Sequence, residues 1–201
     1  MEIPIKNNRN SECHVYVGFP GSGKTYLMQL MVDLEVSSRK GRALIITPDP
    51  FEWKHYPLIN LQDPDCFKKI NSPTRLIYND PSDIDRIADE YDGFFDGLLL
   101  FDDCREYVAS NVQQSFRTLI RRRRHRSHDI IAAGQGFSEI PPVFFMLANR
   151  YVLFYTQDNV AKRKEEFGIY YESVKQAVID VNKESLTNPH AKKIINARPN
   201  V

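Results

Sequence analysis

The sequence predicts an α/β fold in which a central, mostly parallel sheet is flanked by helices. Three observations predict it. Short apolar runs recur along the chain, with amphipathic segments of helical spacing between them. Turns rich in glycine and proline stand where one kind of segment gives way to the other. No repeat, low-complexity tract or linker divides the 201 residues, so a single domain is expected over 1–201.

The elements follow in order. Cys13–Val17 is the first strand and ends at a Gly/Pro-rich turn. Lys24–Arg39 is a helix, with Leu27, Leu30, Met31 and Leu34 at helical spacing, and Gly41 ends it. Arg42–Thr47 (RALIIT) is a buried strand, broken off by Pro48 and Pro50. Residues 51–73 mix acids, bases and two further prolines, Pro57 and Pro64, which predicts loops and one short helix. Residues 74–78 are a strand. Asp80-Pro81-Ser82 reads as a helix start leading into 83–92. Residues 98–101 are the most apolar strand, followed by a helix over about 110–126 whose buried stripe is Phe116, Leu119 and Ile120. Residues 129–133 form the next strand. Prolines start a short helix within 140–149, and 150–155 is the last clear strand. Residues 159–166 and 171–182 are helical, and the polar tail from about Asn188 is loose.

Composition excludes several classes. With 42% hydrophobic and 26% charged residues the chain is neither disordered nor a mini-protein that needs staples. No apolar run reaches the ~18 residues of a membrane span, and the best candidate, 141–155, is interrupted by Arg150. MEIPIKNNRN has no apolar core, so no secretory signal peptide is expected. Cys13, Cys66 and Cys104 are odd in number and lack metal-ligand spacing, which reads as free thiols in a reducing compartment. The net charge of +1 does not point to a polyanion, so any such signal is local.

Gly18-Phe19-Pro20-Gly21-Ser22-Gly23-Lys24-Thr25 fits G-x-x-x-x-G-K-[ST], between an apolar strand and an amphipathic helix. Wrapping a phosphate chain takes backbone N–H groups, glycines that permit unusual φ and ψ, and the positive end of a helix. Gly18, Pro20, Gly21, Ser22, Gly23, Lys24, Thr25 and Tyr26 are therefore the candidate ATP contacts. Lys24 supplies a mobile cation for the β- and γ-phosphates, and Thr25 a hydroxyl ligand for Mg²⁺. A second acidic group should end an apolar strand beside the first one. Leu98-Leu99-Leu100-Phe101-Asp102-Asp103 fits, with Asp102 as the metal-site residue and Asp103 as the group that orients the attacking water. Glu106, one helical turn on, is an alternative to Asp103.

Gln135 follows the strand 129–133 and is the candidate contact to the γ-phosphate or lytic water. Residues 107–128 hold six arginines and no acid. Past residue 120 they surround the helix, so that helix end is either solvated or meets an anion. The anion is a neighbouring subunit's γ-phosphate, reached by an arginine finger, or a nucleic-acid backbone. Arg121, Arg122 and Arg124 are equal candidates for the finger, ahead of Arg117 and Arg150.

Taken together, GFPGSGKT (18–25), LLLFDD (98–103), RRRRHR (121–126), IIAAGQ (130–135), Ile140-Pro141-Pro142 and the strand 150–155 resemble the FtsK–HerA superfamily of P-loop ATPases. The narrower resemblance is to small genome-packaging ATPases of membrane-containing, double-jelly-roll-capsid viruses. It spans residues 13–155, and departs from the usual pattern at Asp103, where Glu is common. The resemblance implies a RecA-like core of the ASCE type, with the acidic strand's neighbour inserted between it and the edge. It also implies a homo-oligomeric ring (pentamer or hexamer), double-stranded DNA drawn through its centre, and capsid or membrane-vertex partners. The implied location is the host cytoplasm, and the virion if the motor stays at the packaging vertex. Residues 51–69 and 137–142 are the loops expected to line the pore. The zonula-occludens-toxin-like assembly ATPases of filamentous phages share the core but usually carry a membrane segment.

Two other classes compete with a DNA-translocating hydrolase. A small-molecule kinase would use the Arg121–Arg126 cluster as a lid, but the Asp102-Asp103 pair and the Gln-tipped strand suit water as acceptor. A regulator that binds ATP without turning it over would not need Lys24, Thr25 and Asp102 together.

Overall fold

The computed structural model describes residues 9–39, 41–79, 94–105 and 113–197, with side chains 113–116 left aside. The expected helix over 83–92, its start at Asp80, the first residues of 110–126, the Phe116 side chain and Glu106 lie outside the described set. The elements are β1 (Cys13–Val17), α1 (Lys24–Arg39), β2 (Arg42–Thr47), β3 (Thr74–Ile77), β4 (Gly97–Phe101), α2 (Gln113–Arg126), β5 (His128–Gly134), α3 (Pro142–Leu147), β6 (Arg150–Leu153), α4 (Lys164–Phe167), α5 (Tyr171–Glu184) and β7 (Lys193–Asn196).

The strands form one sheet in the order β3-β2-β4-β5-β1-β6-β7. The first six run parallel, and β7 closes the edge antiparallel to β6. β5 is inserted between β4 and β1, with Leu99 opposite Ile130 and Cys13 opposite the same Ile130. This corrects one expectation, since the acidic strand does not adjoin the first strand; its other neighbour, β2, lies between it and the edge strand β3, as expected.

Side chains alternate across the sheet, so each strand feeds two cores. Tyr16, Ala43, Ile45, Leu98, Leu100, Ile131 and Ala133 face α1, where they meet Met28 and Val32. Val15, Leu44, Ile46, Leu99, Phe101, Ile130 and Ala132 face the other way, toward Leu119, Phe144, Phe145 and Val174 of α2, α3 and α5. Burying each such side chain stabilises the fold by ~1.5–3 kcal/mol, enough to set the register of every strand.

The buried stripe of α1 is Met28, Val32 and Glu35; Leu30 is exposed and Leu34 is 53% exposed. The leucine stripe of the sequence reading is thus only partly the packed face. The helix must begin at Lys24 with Thr25 on the sheet's edge, and that fixes its rotation. Buried Glu35 is matched by Arg9, whose guanidinium lies 2.5 Å from Glu35, 3.0 Å from Asp96 and 2.9 Å from Asp129. Arg9 so ties the segment before β1 to the starts of β4 and β5.

Three more expectations are corrected. Residues 51–73 form successive turns without a helix, as the prolines there dictate. Residues 188–197 are not loose, because Lys193–Asn196 pairs with β6. Within 137–142, Phe137 and Ile140 are wholly buried and Phe137 packs on Phe145 and Phe167, so they belong to the core and not to a pore surface. Among the described residues no helix is long and apolar enough to cross a membrane.

Candidate active site

Four strands deliver their carboxyl ends to one edge of the sheet, the position where parallel α/β sheets bind ligands. β1 runs into the loop 18–23, β4 into Asp102 and Asp103, β5 into Gln135, and β2 into the turn 48–53. Between them lies a cleft of about 300 Å³, walled by Pro20, Gly21, Gly23, Lys24, Thr25, Tyr26, Glu52, Asp102, Asp103, Gly134 and Gln135.

The loop is held tightly at both ends. The Gly18 N–H donates to the Gly134 carbonyl at 3.2 Å and the Phe19 N–H to the Tyr155 carbonyl at 2.7 Å. A Cβ at position 18 would lie 2.5 Å from Phe154 Cβ and 2.8 Å from Ser22 Oγ, so only glycine fits. Gly23 has φ +98°, in the left-handed region that side chains strain to adopt.

Lys24 folds its ammonium back onto the loop, donating to the carbonyls of Gly18 and, at 3.2 Å, Phe19. Burial lowers its pKa, against the pull of Asp102 and Asp103. Ser22 Oγ is buried and makes no hydrogen bond. A cation resting on its own loop's carbonyls and a buried hydroxyl awaiting an acceptor both fit a polyphosphate in the cleft. Thr25, the second residue of α1, lines the cleft together with Asp102, and a hydroxyl and a carboxylate are oxygen donors of the kind Mg²⁺ takes.

Asp102 is only 5% exposed. One of its oxygens accepts from the Asp103 N–H at 3.0 Å and the other from the Trp53 indole N–H at 2.8 Å. Asp103 has φ +43°, a left-handed conformation that Asp tolerates better than most residues. Its Oδ2 lies 3.4 Å from Gln135 Nε2 and 3.7 Å from Arg105, while its Oδ1 is buried without a hydrogen-bond donor. Glu139 fixes Gln135 in turn by accepting from its backbone N–H at 3.0 Å. Asp103 and Gln135, chosen on separate strands, therefore meet.

The sequence reading missed Glu52 and Trp53. The Glu52 carboxyl hydrogen-bonds the Asp102 carboxyl, and its pKa is pushed up to about 7, first by burial, then by that bond and by the charges of Asp102, Asp49 and Asp103. No local pattern marks these residues; their importance comes from β2 lying beside β4.

The arginine-rich helix end does not join this cleft. It lies at the opposite edge of the sheet, where strands begin. Arg121, Arg122 and Arg124 are exposed on this helix, as is Arg117 a turn earlier, and Arg150 lies at the start of β6, 3.5 Å from Glu12. Arg123 differs from its neighbours: it is 4% exposed and donates to the carbonyls of Ser11 (2.9 Å), Ile120 (3.1 Å) and Leu147 (3.4 Å). The Arg126 guanidinium lies 4.5 Å over the ring of Phe95. These two are structural, which leaves Arg121, Arg122 and Arg124 as the outward cations of the cluster.

No family model matches the chain, and no match is found among curated proteins. Solved structures do match. The genome packaging NTPase B204 from Sulfolobus turreted icosahedral virus 2, in complex with ATP-gammaS, aligns with a TM-score of 0.71 at 14% identity over 96% of this chain and 95% of that one. B204, the DNA-packaging ATPase from Sulfolobus Turreted Icosahedral Virus, aligns at 0.68 and 15% identity, covering 97% and 96%. VirB4 of Thermoanaerobacter pseudethanolicus aligns at 0.55 and 8% identity, covering 93% and 87%. At such identities the likeness is one of fold: a mostly parallel, RecA-like P-loop NTPase sheet flanked by helices.

Proposed function

We propose that this chain is an ATPase that moves double-stranded DNA, packaging a viral genome into a preformed capsid. The observation that carries the ATPase reading is the convergence of Lys24, Thr25, Asp102, Asp103 and Gln135 on one cleft. The DNA part is supported by the fold likeness, along nearly the whole of both chains, to a DNA-packaging ATPase.

Lys24 leaves the loop carbonyls for the β- and γ-phosphates of ATP, and Ser22 and the loop's N–H groups wrap the chain. Thr25 and Asp102 would hold Mg²⁺, which when bound would supply positive charge against the phosphate oxygens. Asp103 and Gln135 face the γ-phosphate and the water that attacks it. Arg121, Arg122 and Arg124 do not line their own cleft, so in this reading they meet a phosphate on a neighbouring subunit or on DNA. The reading therefore includes a pentameric or hexameric ring with capsid or membrane-vertex proteins around it, working in the host cytoplasm. DNA contacts are to phosphates, independent of sequence and weakened by salt.

The test is phosphate release from ATP, with and without double-stranded DNA, for wild type and Lys24→Ala. Stimulation by DNA that Lys24→Ala abolishes is the expected result. No turnover at any protein concentration would refute an autonomous motor, and turnover only with a small-molecule acceptor would indicate a kinase.

A further inference from the structure

Glu52 reaches the cleft from the strand next to the acidic one. β2 pairs with β4 so that Ile46 stands opposite Phe101, and the Asp102 N–H donates to the Ile46 carbonyl at 2.8 Å. The chain leaving β2 therefore emerges beside Asp102. The turn that follows is fixed at each step. The Asp49 N–H donates to Thr47 Oγ1 at 3.2 Å, the Phe51 N–H to Asp49 Oδ1 at 2.7 Å, and Arg75 to the Pro50 carbonyl at 2.7 Å. Trp53 ends the turn at φ +57°, a left-handed conformation that strains a bulky residue. Its indole bond to Asp102 and its stacking on Tyr56, at 6.2 Å and 22°, hold it there. The Tyr56 hydroxyl in turn accepts from Gln29 of α1. The turn is thus fastened to the acidic strand on one side and to the P-loop helix on the other.

Asp103 has a shorter reach: its Oδ2 meets Gln135 and Arg105, its Oδ1 is left without a donor, and its side chain is one methylene shorter than the usual glutamate. Glu52 is longer, lines the same cleft from the β2 side of the acidic strand and already touches Asp102.

Building on the ATPase reading above, we propose that Glu52 is a further catalytic residue, the carboxylate that accepts a hydrogen bond from the attacking water and orients it toward the γ-phosphorus. The water oxygen bonds to that phosphorus while the bond to the β–γ bridging oxygen breaks. The bridging oxygen leaves with its electron pair on ADP, and the water's proton goes to the departing phosphate. Asp103 and Gln135 form a second polar pair lining the cleft.

The test uses the full chain and the variants Glu52→Gln, Glu52→Asp, Asp103→Asn and Lys24→Ala, each checked for an unchanged thermal transition. Two quantities are read: equilibrium binding of a fluorescent ATP analogue with Mg²⁺, and single-turnover phosphate release at saturating ATP. Glu52→Gln should bind within about threefold of wild type and release phosphate about 100-fold or more slowly, because it loses an interaction made to the reacting water and not to the bound nucleotide. Glu52→Asp should recover part of the rate, and Asp103→Asn should lose less than Glu52→Gln. Release by Glu52→Gln within about threefold of wild type overturns the proposal, as does a parallel loss of binding and rate, which marks a merely structural part. A wild type that hydrolyses ATP with an inactive Lys24→Ala and an active Glu52→Gln removes Glu52 alone. A wild type that neither binds nor hydrolyses ATP removes both readings.

Discussion

Acidification from pH 7 to pH 5 should weaken the fold through one side chain, His128. It opens β5, is fully buried and stacks on Phe94 with ring centroids 5.1 Å apart. Burial drives its pKa down to about 3, and the charges of Arg9, Arg42 and Arg126 push the same way against a hydrogen bond to the Phe94 backbone. The unfolded chain takes up this proton near pH 6.5, and the folded chain does not until about pH 3. The stabilisation is therefore complete above about pH 6.5 and is lost progressively as pH falls from there. At pH 5 the unfolded state is favoured by about 1.5 pH units of proton binding, or about 2 kcal/mol. Urea unfolding of wild type and His128→Gln at both pH values measures this. The stability gap between the two should narrow by about 2 kcal/mol on going to pH 5. Glu52, pushed up to about 7, works in the opposite sense, since its folded form holds the extra proton. It is common to both proteins and cancels in the comparison. A gap that stays the same at both pH values would refute the reasoning.

Two further outcomes bear on the architecture. Arg123→Met should cost ~2–4 kcal/mol in chemical denaturation because three carbonyls lose a buried donor, whereas Arg121→Met, at the surface, should stay within ~0.5 kcal/mol. Gly18→Ala should lower the melting temperature and weaken ATP-analogue binding, since the new methyl meets Phe154 Cβ and backbone cannot yield without moving the loop.

What could be read from the sequence was local or followed a strand. The phosphate loop is contiguous, and a polar residue just past an apolar run falls at the sheet's edge, so Asp102, Asp103 and Gln135 were all within reach. The rotation of α1 was not, because leucines at 30 and 34 satisfy a helical period just as Met28, Val32 and Glu35 do, and the choice depends on where Lys24 must point. Arg123 carried a signal that went unused. It follows Leu119 by four residues and Ile120 by three, which places it on the buried face. Glu52 and Trp53 carried none, since their position rests on the pairing of β2 with β4. The insertion of β5 beside β1 is likewise a matter of strand order, to which hydrophobic pattern is blind. Arg9 lies in a polar stretch that gives no hint of Glu35, Asp96 and Asp129, which are distant in sequence.

The chain has a single tryptophan, and its indole nitrogen lies 2.8 Å from the Asp102 carboxylate. The protein consequently carries its own optical probe at the place where charge changes most. Indole emission shifts with the field of a neighbouring carboxylate, so arrival of a cation or phosphate at Asp102 is written directly into the intrinsic fluorescence. Stopped-flow mixing of the unlabelled protein with nucleotide can then time each event at this carboxylate, turnover by turnover, and compare subunits alone with subunits assembled.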